Sequence, residues 1–165
     1  MKKIATLFFA LLIFVSSSAI AQEPFSIQGG ISWGMTRKQV QAIAKKEGLG
    51  KNYSTSSEVL LYRKVPFGDL TAREMYAAYF NKEMSFSILY YDFPLIPMAD
   101  KEAFKVQFDN LLEMLTKQYG ETTFEPTAIS ASWMMEDTTI DLTRETDDSG
   151  KHVFCRVFYF GFGDF

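Results

Sequence analysis

The stretch that decides the fold is DKEAFKVQFDNLLEMLTKQYG, residues 100–120. Its apolar and aromatic side chains recur at intervals of three or four residues, which predicts an amphipathic helix with one buried face. That face consists of Phe104, Phe108, Leu111, Leu112, Leu115 and Tyr119. Asp100 can cap the first turn and Gly120 can end the last one, so the sequence marks both ends of the helix.

A shorter helix is predicted upstream of this one. Thr36 and Gln39 have the spacing of a capping box, in which each side chain binds a backbone N–H at the start of the helix. The apolar stripe that follows is narrow and consists of Val40, Ile43 and Ala44. Gly48 provides the stop signal, so we expect a helix of about three turns.

The rest of the chain predicts strands, because apolar and polar residues alternate between turn signals. The six predicted strands are residues 58–65, 70–80, 83–91, 129–135, 138–143 and 152–160. In the third, an apolar face of Met84, Phe86, Ile88 and Tyr90 alternates with serines, after a predicted turn at residues 81–82. In the fifth, Ile140 and Leu142 are expected to face inward. The sixth is apolar on both faces, which is typical of a central strand.

The predicted order is therefore helix, three strands, helix, three strands. Runs of neighbouring strands separated by single helices favour an α+β fold, in which one antiparallel sheet packs against two helices. Each half places its strands after a helix that ends at a glycine, Gly48 or Gly120. This repetition suggests a duplicated helix-plus-sheet unit.

The N-terminus predicts export. Lys2 and Lys3 precede an apolar segment at residues 4–15, and the small-residue site Ala19-Ile20-Ala21 follows. This arrangement is that of a cleaved secretory signal peptide, residues 1–21, followed by one domain, residues 22–165. We expect the mature chain to be periplasmic and to lack a transmembrane segment, since no later apolar run is long enough to span a bilayer.

Composition narrows the classes of function. The 165 residues carry a net charge of −3, so nothing predicts a nucleic-acid partner. His152 and Cys155 are the single histidine and cysteine, too few for a zinc site, and their spacing places them on opposite faces of a strand. Cys155 is expected in the core with its valine neighbours. We therefore predict no catalytic constellation, no metal and no cofactor.

The acidic residues of the hairpin before Gly150 are Glu145, Asp147 and Asp148. A calcium site needs more oxygen ligands in a defined order, so a solvated turn is the favoured interpretation.

The segment FPLIPM, residues 93–98, is almost wholly apolar although it links a strand to a helix. Its two prolines are expected to keep it extended and out of the sheet ladder. It either plugs one end of the fold or forms an exposed contact surface. On the second interpretation the partner-facing residues are Phe93, Leu95, Ile96 and Met98.

The segment GISWGMTRKQV, residues 30–40, resembles the start of many small secreted bacterial proteins of unassigned role, which open with Gly-Ile-x-Trp-Gly-Met-Ser/Thr. Residues 117–120, Trp133 and residues 140–142 also fit their layout. The part from Gly34 to Val40 is similar to the SmpA/OmlA-type domain of outer-membrane assembly lipoproteins. That family implies an α+β fold without catalysis that contacts other envelope proteins. This chain lacks the acylated cysteine of those lipoproteins and the proline after the helix-ending glycine.

Together these features predict a periplasmic, non-catalytic binding or protein-interaction module whose partner is another envelope protein. One alternative is a carrier of a small apolar ligand or lipid. Its cavity between helix and sheet would be lined by residues such as Phe104, Phe108, Trp133 and Phe158. A further alternative is a thiol-dependent enzyme that uses Cys155.

Overall fold

The computed structural model describes residues 31–79 and 86–161, and within β2 and β3 the side chains of Tyr79, Phe86 and Ser87 are not described. The elements are α1 (Arg37–Lys46), β1 (Val59–Phe67), β2 (Leu70–Tyr79), β3 (Phe86–Asp92), β4 (Ile96–Pro97), α2 (Lys101–Tyr119), β5 (Ser130–Met134), β6 (Thr138–Thr146) and β7 (His152–Gly161). The α+β class is confirmed, and the order matches the prediction except for the short β4. The predicted signal peptide and the turn at residues 81–82 lie outside the described residues.

All strand pairs are antiparallel, and the sheet has the spatial order β1-β2-β3-β7-β6-β5. The two groups of three strands therefore meet where β3 pairs with β7. β7 lies between β3 and β6, which confirms the central position predicted from its apolar composition. The duplication that the order suggests stays a prediction. Among the described residues, no helix is both long and apolar enough to cross a bilayer.

The segment after β3 returns to the sheet, so the expectation that its prolines keep it out of the ladder is wrong for Pro97, whereas Pro94 lies outside the paired residues. In β4, Ile96 pairs with Val153 and Pro97 pairs with His152, so β4 extends the edge of β3 along β7. Proline has no N–H, but the flanking residues supply the donors. Phe93 N donates to the Cys155 carbonyl at 3.0 Å, and Met98 N donates to the Lys151 carbonyl at 2.9 Å.

Both helices begin and end where the sequence predicts. The Thr36 backbone N–H donates to Gln39 Oε1 at 2.8 Å, which ties the first turn of α1 to its cap. After α1, Gly48 has a φ of +72°, a conformation that glycine adopts without strain. At the start of α2, the Ala103 N–H donates to the Asp100 carboxylate at 3.0 Å.

The core lies between the helices and one face of the sheet. A buried row crosses all six long strands and consists of Leu60, Ala77, Leu89, Tyr159, Ile140 and Trp133. The next row is also buried and consists of Tyr62, Met75, Tyr91, Val157, Leu142 and Ala131. The helices add Val40 and Ala44 from α1, and Phe104, Phe108, Leu111 and Leu115 from α2. Ile140 and Leu142 thus face inward, as predicted.

In β3 the apolar face predicted from the alternation is not the face that packs on the helices. Leu89 and Tyr91 are buried against the core, whereas Ile88 and Tyr90 are half-buried on the opposite face. The reason is that β3 is apolar on both sides, so alternation alone does not indicate which side meets the helices. Met84 lies outside the described residues.

Candidate functional site

The two residues that could carry thiol chemistry are not brought together. Cys155 is fully buried between Val153 and Val157, and this burial raises the pKa of its thiol to about 12. His152 lies on the opposite face of β7, where its ring Nδ1 is 3.1 Å from Asp147 Oδ2. A protonated, buried thiol without an imidazole beside it is a poor nucleophile.

The acidic hairpin is held by its own hydrogen bonds. Asp147 accepts from the backbone N–H groups of His152 and Lys151 and from the Ser149 hydroxyl. These bonds, led by that from the His152 N–H, lower the pKa of Asp147. Across residues 31–79 and 86–161, no three His, Cys, Asp or Glu residues are grouped so that they could hold a metal ion.

The apolar segment at residues 93–98 is split between core and surface. Phe93 is 1% exposed and packs edge-on against Phe67, and Ile96 is 9% exposed in β4. Neither can face a partner, because both side chains are buried in the core cluster. Leu95 and Met98 are 38% and 39% exposed and are the members of the predicted set that reach the surface.

Both edges of the sheet are partly covered by neighbouring chain. At β1, Asn52 Oδ1 accepts from Leu61 N at 2.9 Å, and Tyr53 N donates to the Leu61 carbonyl at 2.8 Å. At β5, Thr123 N donates to the Ser132 carbonyl at 2.8 Å, and Met134 N donates to Thr123 Oγ1 at 2.7 Å. Addition of a partner strand at either edge is therefore disfavoured.

The face of the sheet opposite the core carries no described helix, since both helices pack on the core side. We call it the helix-free face. One row across it consists of Arg63, Glu74, Asp92, Arg156, Thr143 and Ser130. The adjacent row consists of Leu61, Tyr76, Tyr90, Phe158, Asp141 and Ser132. Charged and aromatic side chains therefore lie in neighbouring rows.

Four aromatic rings on this face form what we call the aromatic ladder: Tyr76, Tyr90, Phe158 and Phe160. Tyr76 and Tyr90 stack with centroids 4.5 Å apart, close to the spacing of neighbouring strands. Phe158 stacks on Tyr90 at 6.3 Å and on Phe160 at 6.5 Å. The ladder therefore spans β2, β3 and two positions of β7.

An ion cluster centred on the buried Asp92 lies beside the ladder. The side chain of Asp92 is 3% exposed. Arg156 donates to it from Nε to Oδ1 at 2.6 Å and from Nη2 to Oδ2 at 3.0 Å. Arg73 Nη2 lies 3.4 Å from the same carboxylate and 3.5 Å from that of Glu74. The Arg156 guanidinium also lies 4.5 Å from the centroid of the Tyr90 ring. This two-pronged contact fixes the orientation of Arg156 against the ladder.

The cluster continues towards β1 through Glu74. Arg63 Nε is 3.1 Å from Glu74 Oε1, and the Tyr76 hydroxyl donates to Glu74 Oε2 at 3.0 Å. Burial, with the Glu74 carboxylate as a further cause, raises the pKa of Tyr76 to about 12. Tyr76 is therefore a neutral hydrogen-bond donor at any physiological pH.

Several hollows lie on the core side of the described residues. Two cavities of about 320 and 290 Å³ both border Gly68 and Tyr91, whose buried hydroxyl has no hydrogen-bond partner among the described residues. A larger hollow of about 630 Å³, which we call the α2 groove, runs between α2 and the loop at residues 126–129.

The carrier prediction named four lining residues, and the α2 groove contains two of them, Phe104 and Phe108. Trp133 instead lies under the end of α2, where its Nε1 donates to the Gly120 carbonyl at 2.9 Å. Phe158 belongs to the aromatic ladder on the other side of the sheet.

The helix-free face was missed at the sequence level, although a signal was present. Asp92 and Arg156 are opposite charges within strands that are otherwise mainly apolar, and charges in such positions are expected to pair.

Comparison with protein-family models, with curated proteins and with solved structures finds no match to this chain. The resemblance of residues 30–40 to secreted bacterial proteins and to the SmpA/OmlA-type domain therefore stays a prediction.

Proposed function

We propose that this chain is an exported, periplasmic, non-catalytic binding module that contacts another envelope protein through its helix-free face. The observation that carries the proposal is the aromatic ladder, packed beside a fixed ion cluster on a face that no described helix covers. A sheet face that meets only water is usually polar, whereas this one carries Ile88, Tyr90, Phe158 and Phe160.

The residue types on this face are those of protein interfaces. Tyrosine, phenylalanine and arginine are enriched in the buried centres of interfaces, and contiguous apolar surface commonly marks a contact site. The bidentate Arg156–Asp92 pair holds the neighbouring ring in place before any partner arrives. Such preorganisation lowers the entropy cost of binding.

Two further parts of the proposal have their own support. Export and a periplasmic location are supported by the sequence of residues 1–21. The proposed lack of thiol catalysis is supported by the burial of Cys155 and the raised pKa of its thiol. These features disfavour the thiol-dependent alternative. The α2 groove favours a second candidate function, carriage of a small apolar ligand, because Phe104 and Phe108 line it.

The proposal is tested by affinity capture from cell envelopes with matched variants. Phe160→Thr changes an exposed residue of the ladder, and Val106→Thr changes an apolar, 50% exposed residue of α2. We expect Phe160→Thr to reduce recovery of a specific partner about tenfold, a typical loss for an interface aromatic, while Val106→Thr leaves it unchanged. Equal recovery with both variants would overturn the proposed surface.

Export is tested separately by sequencing the N-terminus of protein recovered from its host. We expect the mature chain to begin at Gln22. Recovery with Met1 still attached would contradict the proposed location and leave the binding surface to be judged by the capture experiment.

A further inference from the structure

The α2 groove has the size and lining of a ligand site. Its volume of about 630 Å³ lies within the range typical of small-molecule pockets. Phe104, Phe108 and Leu112 share one stripe of α2, and this stripe is about 12 Å long at the rise of an α-helix. The stripe therefore gives the groove an apolar floor along α2.

The opposite wall is apolar and exposed. Ile129 is 52% exposed and Met98 is 39% exposed, and both border the groove. A ligand that covered these side chains would remove apolar surface from water, which favours binding. Met98 is also the residue of the predicted partner-facing segment that reaches this groove.

The wall is held in place by hydrogen bonds, so the groove exists without a ligand. Arg144 N donates to the Ile129 carbonyl at 3.0 Å, which ties the loop to β6. Thr127 N donates to the Ser130 carbonyl at 2.8 Å, and Thr127 Oγ1 accepts from Ser130 N at 3.0 Å. A preformed site binds with less ordering cost than one that must close.

One end of the groove is positively charged. The Arg144 guanidinium lies 5.6 Å from the centroid of the Phe104 ring, and Lys101 precedes Phe104 by one helical turn. Neither cation has an ion pair among the described residues, whereas Lys105 is paired with Asp109, the carboxylate that borders the groove.

We propose that the α2 groove binds a single-chain amphiphile with an anionic head group. The acyl chain lies over Phe104, Phe108 and Leu112, under Ile129, and the head group meets Lys101 and Arg144. Charge complementarity selects this occupant, because a cationic amphiphile would face two unpaired cations and a fully apolar ligand would leave them unused. This inference is independent of the helix-free face, since the two surfaces lie on opposite sides of the sheet.

The test is calorimetric titration of the purified protein with three probes. Laurate has the chain and the anionic head, dodecyltrimethylammonium has the same chain with a cationic head, and acetate has the head without the chain. We expect laurate to bind once per chain and acetate not to bind. Dodecyltrimethylammonium should bind at least about tenfold more weakly than laurate. No binding of laurate, or equal binding of the two amphiphiles, would overturn the proposal.

Variants locate the site. The double variant Lys101→Gln/Arg144→Gln is expected to weaken laurate binding about tenfold or more, because it removes both cations that meet the head group. Both residues are exposed, so we expect the variant to fold as the wild type does. Lys45→Gln/Lys46→Gln on α1 is the matched control and is expected to bind laurate as the wild type does. Amide shifts on laurate addition should appear at residues 127–129, since Pro126 has no N–H. Equal affinity in both double variants, or shifts confined to other residues, would contradict the assignment.

Discussion

Replacement of Asp92 by asparagine removes the charge that holds Arg156 and Arg73 together while it preserves the shape of the side chain. The carboxylate is 3% exposed, and it accepts two short hydrogen bonds from Arg156 and lies near Arg73. Loss of one member of a buried pair costs about 3–5 kcal/mol of folding free energy. Arg156 and Arg73 are 29% and 33% exposed, so water compensates part of that loss.

We therefore expect Asp92→Asn to lower the free energy of unfolding by about 2–3 kcal/mol. At about 2–4 °C per kcal/mol for a domain of this size, the midpoint of thermal unfolding should fall by about 4–12 °C. The assay is urea unfolding followed by circular dichroism, with a thermal scan on the same samples.

Asp109→Asn is the matched control, because it makes the same chemical change in an exposed i,i+4 pair with Lys105. We expect it to change stability by about 0.5 kcal/mol or less. A result for Asp92→Asn as small as that of the control would refute the claim that Asp92 anchors the helix-free face.

Cys155 should resist alkylation in the native state, since its thiol is buried and its pKa is raised to about 12. It should react only as urea unfolds the chain, and rapid labelling of the native protein would contradict this. Gly161→Ala should lower the free energy of unfolding by about 1–3 kcal/mol in urea, because the added Cβ would lie 2.6 Å from the Trp33 ring. In a double-mutant cycle, Gly161→Ala should be less destabilising when Trp33 is already replaced by alanine. The lowered pKa of Asp147 means that the folded state binds fewer protons at this carboxyl than the unfolded state does. The contribution of Asp147 to folding stability is therefore complete above about pH 4 and declines below it. Asp147→Asn should reduce the loss of unfolding free energy between about pH 4 and lower pH, measured by urea unfolding. The same loss in the variant and the wild type would count against the hairpin contacts.

The parts of the fold that could be predicted are those set by near neighbours in sequence. The caps at Thr36 and Asp100 and the stop at Gly48 depend on contacts within a few residues, and all three are present. The buried stripe of α2 follows from its period, and the central place of β7 follows from its apolar composition.

The parts that could not be predicted depend on contacts distant in sequence. Which face of β3 meets the helices depends on pairing with β7, and alternation does not report it when both faces are apolar. Asp92 and Arg156 are separated by 64 positions, so nothing local predicts their bidentate contact. Pro97 enters the ladder because residues on either side of it supply the hydrogen bonds.

The proposed binding surface is tested most directly by photo-crosslinking in living cells. A photoreactive amino acid replaces Phe160, which is 40% exposed on the helix-free face, or Val106, which is 50% exposed on α2. We expect position 160 to form a discrete adduct with one envelope protein and position 106 to form none. Adducts at position 106 alone, or at neither position, would contradict a contact through the helix-free face.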